Sequence, residues 1–160
     1  MIFVTIGSLF PFDRLIRLTD ELAPGLPHET FFAQIADGSY EPRNMPFARM
    51  LSRREFANKI DESSVIVAHA GMGSVISAME NRKPIVILPR IYDAGEHTTD
   101  HQMATARWLD GRPGIYVAMS DDELKPAIEA AMSAGVRDSG MSPTAPAEFL
   151  HKIRTYILES

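Results

Sequence analysis

Apolar positions along the chain follow two periods in turn. Residues 2–6 are a short, β-branched-rich apolar run that stops at Gly7, and Leu15, Ile16, Leu18 and Leu22 then recur at helical spacing. This predicts a strand, a glycine turn and a helix. The unit repeats: residues 30–36, 65–68, 85–88 and 115–118 read as further strands, with Pro89 closing the run at 85–88. Helices are predicted at 54–60, from about 73 to 81, at 100–109 and at 121–132, the last begun by Ser120 as its cap. Strands alternating with helices predict an α/β domain, a parallel sheet with helices on both faces.

After Ala134 the pattern stops. Residues 135–146 are dominated by Gly, Ser, Pro and Thr and read as a flexible connection, dividing a domain at 1–134 from a terminal segment at 147–160. In that segment Phe149, Leu150, Ile153, Tyr156 and Ile157 share one face of a helical wheel. Such a face must be covered, either by the chain's own sheet or by a partner.

Composition narrows the reading. At 160 residues the chain suits one domain that buries about two thirds of its unfolded surface. A mean hydropathy of -0.08 goes with no stretch apolar enough to span a bilayer. The formal charge of -5 and the interrupted cluster Arg49, Arg53 and Arg54 argue against nucleic acid as a partner. Without cysteine there is neither a disulfide framework nor thiolate chemistry, and Met1 leads into an apolar run with no charged leader, so a cytoplasmic location is expected.

Candidate chemistry concentrates in three segments. In V-I-V-A-H-A-G-M-G-S, residues 65–74, a buried strand enters a glycine turn. Gly71 and Gly73 there would let backbone approach a ligand while the new helix offers its free N–H groups, the makings of an anion site to which Ser74 adds a hydroxyl. The same residues also read as a structural turn with Ser74 as a plain cap. Gly7 and Ser8 follow the first strand in the equivalent place, and two such turns suit a diphosphate, although every strand-to-helix unit needs a turn of this kind. In G-E-H-T-T-D-H-Q, Glu96, His97, Asp100, His101 and Gln102 fall within eight residues. His97 and His101 have the spacing of two zinc ligands, but Thr98 stands where a metalloprotease helix needs glutamate, so no metal site is expected. Asp100, His101 and Gln102 suit sugar hydroxyls, or else a solvated, capped helix start.

Together, V-T-I-G-S and F-D-R-L within 4–15, F-A-Q-I-A-D-G-S-Y-E-P at 32–42, H-A-G-M-G-S at 69–74, K-P-I-V-I-L-P-R at 83–90 and E-H-T-T-D-H-Q at 96–102 resemble the C-terminal domain of glycosyltransferase family 28. Over most of its length the chain is similar to the catalytic subunits of two-chain transferases. These are the eukaryotic enzyme adding the second GlcNAc to a dolichol-linked sugar and, with E-H-T-T-D-H-Q the closer match, bacterial exopolysaccharide glycosyltransferases. The resemblance implies a Rossmann-like domain forming one half of a GT-B enzyme. It further implies inverting, metal-independent transfer from a UDP-sugar to a lipid-linked acceptor, with no cofactor and with a membrane-anchored subunit holding the acceptor. The chain would then sit peripherally at the membrane.

Carried over by residue, Gly7 and Ser8 lie near the diphosphate, Gly71, Met72, Gly73 and Ser74 form the donor loop, and Gln102 reaches the sugar, with Gln34 and Arg90 completing the substrate set. His97 or His101 is the candidate base. Ser77 stands where the family's ribose-binding glutamate would be and Glu80, one turn later, is the nearest acid, so either Glu80 takes that role or the ribose is held more loosely; Ala36 replaces a family glycine. GlcNAc, glucose, galactose and glucuronic acid are all compatible, Arg90 suiting an acidic sugar. The alternative is a nucleotide-sugar-binding assembly or regulatory module that transfers nothing.

Overall fold

The computed structural model describes residues 1–134 and 147–158. Strands β1 (Ile2–Thr5), β2 (Phe31–Gln34), β3 (Phe47–Ala48), β4 (Val65–His69), β5 (Ile85–Leu88) and β6 (Ile115–Val117) form one sheet. Their order is β3-β2-β1-β4-β5-β6, and every pair is parallel. Helices α1 (Asp13–Leu22), α2 (Arg53–Glu62), α3 (Met72–Glu80), α4 (His101–Leu109) and α5 (Leu124–Ala134) accompany it, and α6 (Ala147–Leu158) follows. The expected connection at 135–146 and the side chains of Phe149, Leu150, Ile153 and Ile157 lie outside the described residues.

Alternate strand residues feed two cores. Ile2, Val4, Val65, Val67, Val86 and Leu88 pack with Leu15, Ile16, Leu124 and Ile128 of α1 and α5. Phe3, Ile66, Ala68, Ile85 and Ile87 pack on the other face with Ile60, Val75, Ala78, Ala106 and Leu109 of α2, α3 and α4. Strands buried on both faces lose their polar alternation, which is why these appear in sequence as unbroken apolar runs. This is a Rossmann-like sheet. The loop after β1 turns to α1 on one face and the loop after β4 turns to α3 on the other, so these neighbouring loops part at the carboxyl ends of their strands and open a crevice.

Four local departures have physical causes. β3 is absent from the sequence reading because it has only two residues behind Pro46; main-chain bonds hold it, with the N–H of Ala33 donating to the carbonyl of Pro46 and that of Ile35 to Ala48. α2 begins with a capping box of Ser52 and Glu55, a signal present in S-R-R-E. Ser120 makes no side-chain cap: a 3-10 turn at Asp121–Glu123 precedes α5, and Glu123 accepts the N–H of Met119 instead. Ala36 has a φ of 44°, in the left-handed region where a Cβ costs roughly 1 to 2 kcal/mol, so a glycine would relax this turn.

Candidate functional site

The crevice between the parting loops has a volume of about 640 Å3. Strand ends and helix starts bring Gly7, Ser8, Gln34, Gly71, Met72, Gly73, Ser74, Arg90, His97, His101 and Gln102 to its walls. Two expected residues are elsewhere. Asp100 lines a neighbouring cavity of about 580 Å3 with Ile91, Tyr92 and Thr98. Glu80 lines neither cavity; it is the exposed last residue of α3, while Ser77, about one turn nearer the crevice, does line it. His69, Arg53 and Thr105 are lining residues that the sequence reading did not assign.

Backbone donors face this space. α3 starts at Met72 with Gly71 as its N-cap and no side-chain cap, leaving the first-turn N–H groups of Met72, Gly73 and Ser74 without intrahelical partners. Ser74 is therefore inside the helix and is not its cap. The glycines of the site divide by role. A Cβ on Gly71 would stand 2.1 Å from Nε2 of His69, and one on Gly7, at φ +74°, would stand 2.9 Å from Cε1 of the same ring. Those two positions lack a side chain because His69 lies against them, which the reading of Gly71 as room for a ligand did not include. At Gly73 nothing lies within 4 Å, so that position is the one open to a ligand.

The electrostatics are one-sided. Among the described residues no lining group is acidic, although Asp and Glu outnumber Lys and Arg by 21 to 16 in the chain. Arg90 is only 2% exposed and makes no ion pair among the described residues. Burial lowers it to about 10, partly opposed by the charge of Glu96. Its Nη2 donates to the carbonyls of Ile6 at 2.8 Å and Phe10 at 2.7 Å, and its N–H donates to Oε1 of Gln102. Both carbonyls are held by Nη2, while Nε is buried without a hydrogen-bond partner. Burial, then the charge of Arg90, depresses His69 to about 4, against a weak upward pull from the backbone of Thr5. Its Nδ1 is buried without a partner in hydrogen-bonding geometry, as is Oε1 of Gln34. Unsatisfied buried atoms on a cavity wall are places where a ligand can supply the missing partner.

His97 packs edge-on to Phe10 at 5.2 Å. Its Nδ1 lies 3.1 Å from the carbonyl and 3.2 Å from the amide of Thr99. When Nδ1–H donates to that carbonyl, Nε2 is left with a lone pair able to take a proton. His101 is the exposed first residue of α4. Asp100, just before it, makes no side-chain cap, so this helix start is also open to a ligand.

The model of the glycosyltransferase family 28 C-terminal domain matches residues 1–149. No curated protein matches the chain in sequence. Among solved structures, the glycotransferase of kitacinnamycin superposes with a TM-score of 0.63 at 21% identity, over 82% of this chain and 34% of that one. ALG13, solved by NMR, gives 0.60 at 15%, over 100% and 97%. SsfS6 from Streptomyces sp. SF2575, complexed with thymidine diphosphate, gives 0.54 at 18%, over 96% and 40%. At these identities the superpositions show the fold. The chain spans less than half of the kitacinnamycin and SsfS6 enzymes, one Rossmann-like half of their GT-B architecture, and nearly all of ALG13. With the family model covering residues 1–149 and that fold beneath it, the chain belongs to glycosyltransferase family 28 and carries the family's C-terminal domain.

Proposed function

We propose that this domain is the donor-binding half of an inverting, metal-independent glycosyltransferase, moving a hexose, N-acetylhexosamine or uronic acid from a UDP-sugar to a lipid-linked acceptor. One observation carries the reading: a crevice with no acidic lining residue and a buried arginine with no ion pair among the described residues, at the place where an uncapped helix start meets the Gly7 turn. An anion completes it. The thymidine diphosphate bound to SsfS6 supports a nucleoside diphosphate as that anion. As the bond from the sugar's C1 to the leaving oxygen breaks, charge builds on the β-phosphate. The N–H of Gly7 donates to Oγ1 of Thr5, so fixed N–H donors at Ser8, Gly73 and Ser74 are the ones suited to stabilise it, by a few kcal/mol. His101 and Gln102 face the sugar, Ser77 takes the ribose side in place of Glu80, and Nε2 of His97 takes the acceptor proton.

In the same proposal a membrane-anchored subunit holds the acceptor and docks on α6. Among the described residues no helix is long and apolar enough to cross a membrane, and in this reading the second component carries the acceptor at the bilayer. The test is transfer of radiolabelled sugar from UDP-GlcNAc, UDP-glucose, UDP-galactose and UDP-glucuronic acid into membrane lipids of the source cell. One donor should label lipid when chain and membranes are combined, and a chain ending at Ala145 should bind UDP yet leave the lipid unlabelled. No labelling from any donor would overturn the proposal.

A further inference from the structure

Two arginines cross between the loops that carry the crevice. Arg90, just beyond β5, reaches the β1–α1 turn, where its Nη2 donates to the carbonyls of Ile6 and Phe10 and so brackets Gly7, Ser8 and Leu9. Arg14, in the first turn of α1, reaches back. Its Nη2 donates to the carbonyl of Pro89 at 2.8 Å, and its Nε and Nη2 grip the two oxygens of Glu96 at 2.7 and 2.8 Å. Glu96 also accepts the N–H of Ile91 and so ties down the start of its own loop. Phe12, 1% exposed, lies under both guanidiniums, with ring centroid distances of 5.2 Å to Arg14 and 5.0 Å to Arg90. Beside Glu96, His97 rests on Phe10. Neither Arg14 nor Glu96 lines the crevice.

We infer that Arg14 and Glu96 are positioning residues that, through Phe12, Arg90 and Phe10, hold the Gly7–Leu9 turn and His97 at the spacing a diphosphate-linked sugar needs. Apolar packing alone would hold the loops together by area. A bidentate fork also fixes their distance and plane, and donors set in place before the ligand arrives bind it without the cost of ordering. The brace works at long range in sequence, since Arg14 and Glu96 are 82 positions apart. The inference rests on the proposed diphosphate site.

The test compares the full chain with Arg14→Gln, Glu96→Gln, their double variant and the milder Arg14→Lys, by calorimetric titration of UDP well below each melting temperature. Hydrogen exchange at the amides of Ser8 and Leu9 is followed without ligand. Each Gln variant should weaken UDP about tenfold, the double variant no more than the weaker single one, and Ser8 and Leu9 should exchange faster in all three. Arg14→Lys should restore stability better than affinity, because one ammonium replaces the charge and not the fork. Variants that melt lower yet bind UDP as the wild type does would reduce the brace to a structural contact and overturn the inference. A wild type that binds no UDP would overturn the diphosphate reading instead. The brace would then be judged on exchange, where unchanged rates at Ser8 and Leu9 would end it.

Discussion

His69 is held neutral by its surroundings, and the pH dependence of stability should reveal it. Its value in the fold, about 4 against an ordinary 6.5, means that the unfolded chain takes up a proton between those values and the folded one does not. Stability should therefore fall as pH drops from 6.5 towards 4, by up to about 3 kcal/mol from this one group. His69→Gln should flatten that slope in denaturant melts at pH 7, 6, 5 and 4, and parallel slopes in both proteins would remove His69 as the cause. A second residue-scale contrast concerns the ribose. Ser77 lines the crevice and Glu80 does not, so Ser77→Ala should weaken UDP by about 1 kcal/mol, the worth of a neutral hydrogen bond, while Glu80→Ala leaves it unchanged. The reverse ranking would return the role to the acid. Sequence could offer Glu80 only as the nearest acid, because charge is visible in a string of letters, whereas the direction a helical side chain faces depends on how α3 lies on the sheet.

At the scale of elements, α3 and the turn before it contain two glycines that behave oppositely. In Gly71→Ala the new Cβ would meet the half-buried ring of His69, and overpacking of this kind costs about 1 to 3 kcal/mol. In Gly73→Ala it meets nothing within 4 Å and adds helix propensity worth up to about 1 kcal/mol. Thermal melts should place Gly71→Ala several degrees below the wild type, by roughly 2 to 4 °C per kcal/mol, and Gly73→Ala level with it or above. Equal melting temperatures would mean that the His69 ring is not what excludes a side chain at Gly71. The strands buried on both faces were readable because unbroken apolar runs bounded by Gly and Pro leave few alternatives. β3 was not, since two residues carry no period. The brace of Arg14 and Glu96 was not readable either: the partners lie in separate units, and only the order in which strands are laid down makes them neighbours.

At the scale of the molecule, the sheet order accounts for the site. The chain moves outward from β1 to β2 and β3, then returns to place β4 on the other side of β1. The turns after β1 and β4 thereby diverge, and an acidic chain gathers two arginines and three histidines along the gap. The segment H-A-G-M-G-S at residues 69–74 lies at the centre of this site. The physical arrangement explains what that segment is suited to do, which is to meet an anion with an uncapped helix start, a neutral histidine and a buried guanidinium. The central claim, that this crevice binds the diphosphate of a sugar nucleotide, is most directly tested by calorimetric titration of UDP into the wild type and Gly73→Val. Gly73 faces open space, so the branched side chain should leave the fold intact and occupy the approach to the α3 N-terminus. Saturable binding of one UDP per chain, weakened about tenfold or more by the substitution, is the predicted result. Equal affinity in the two proteins, or no binding to the wild type, would contradict the account.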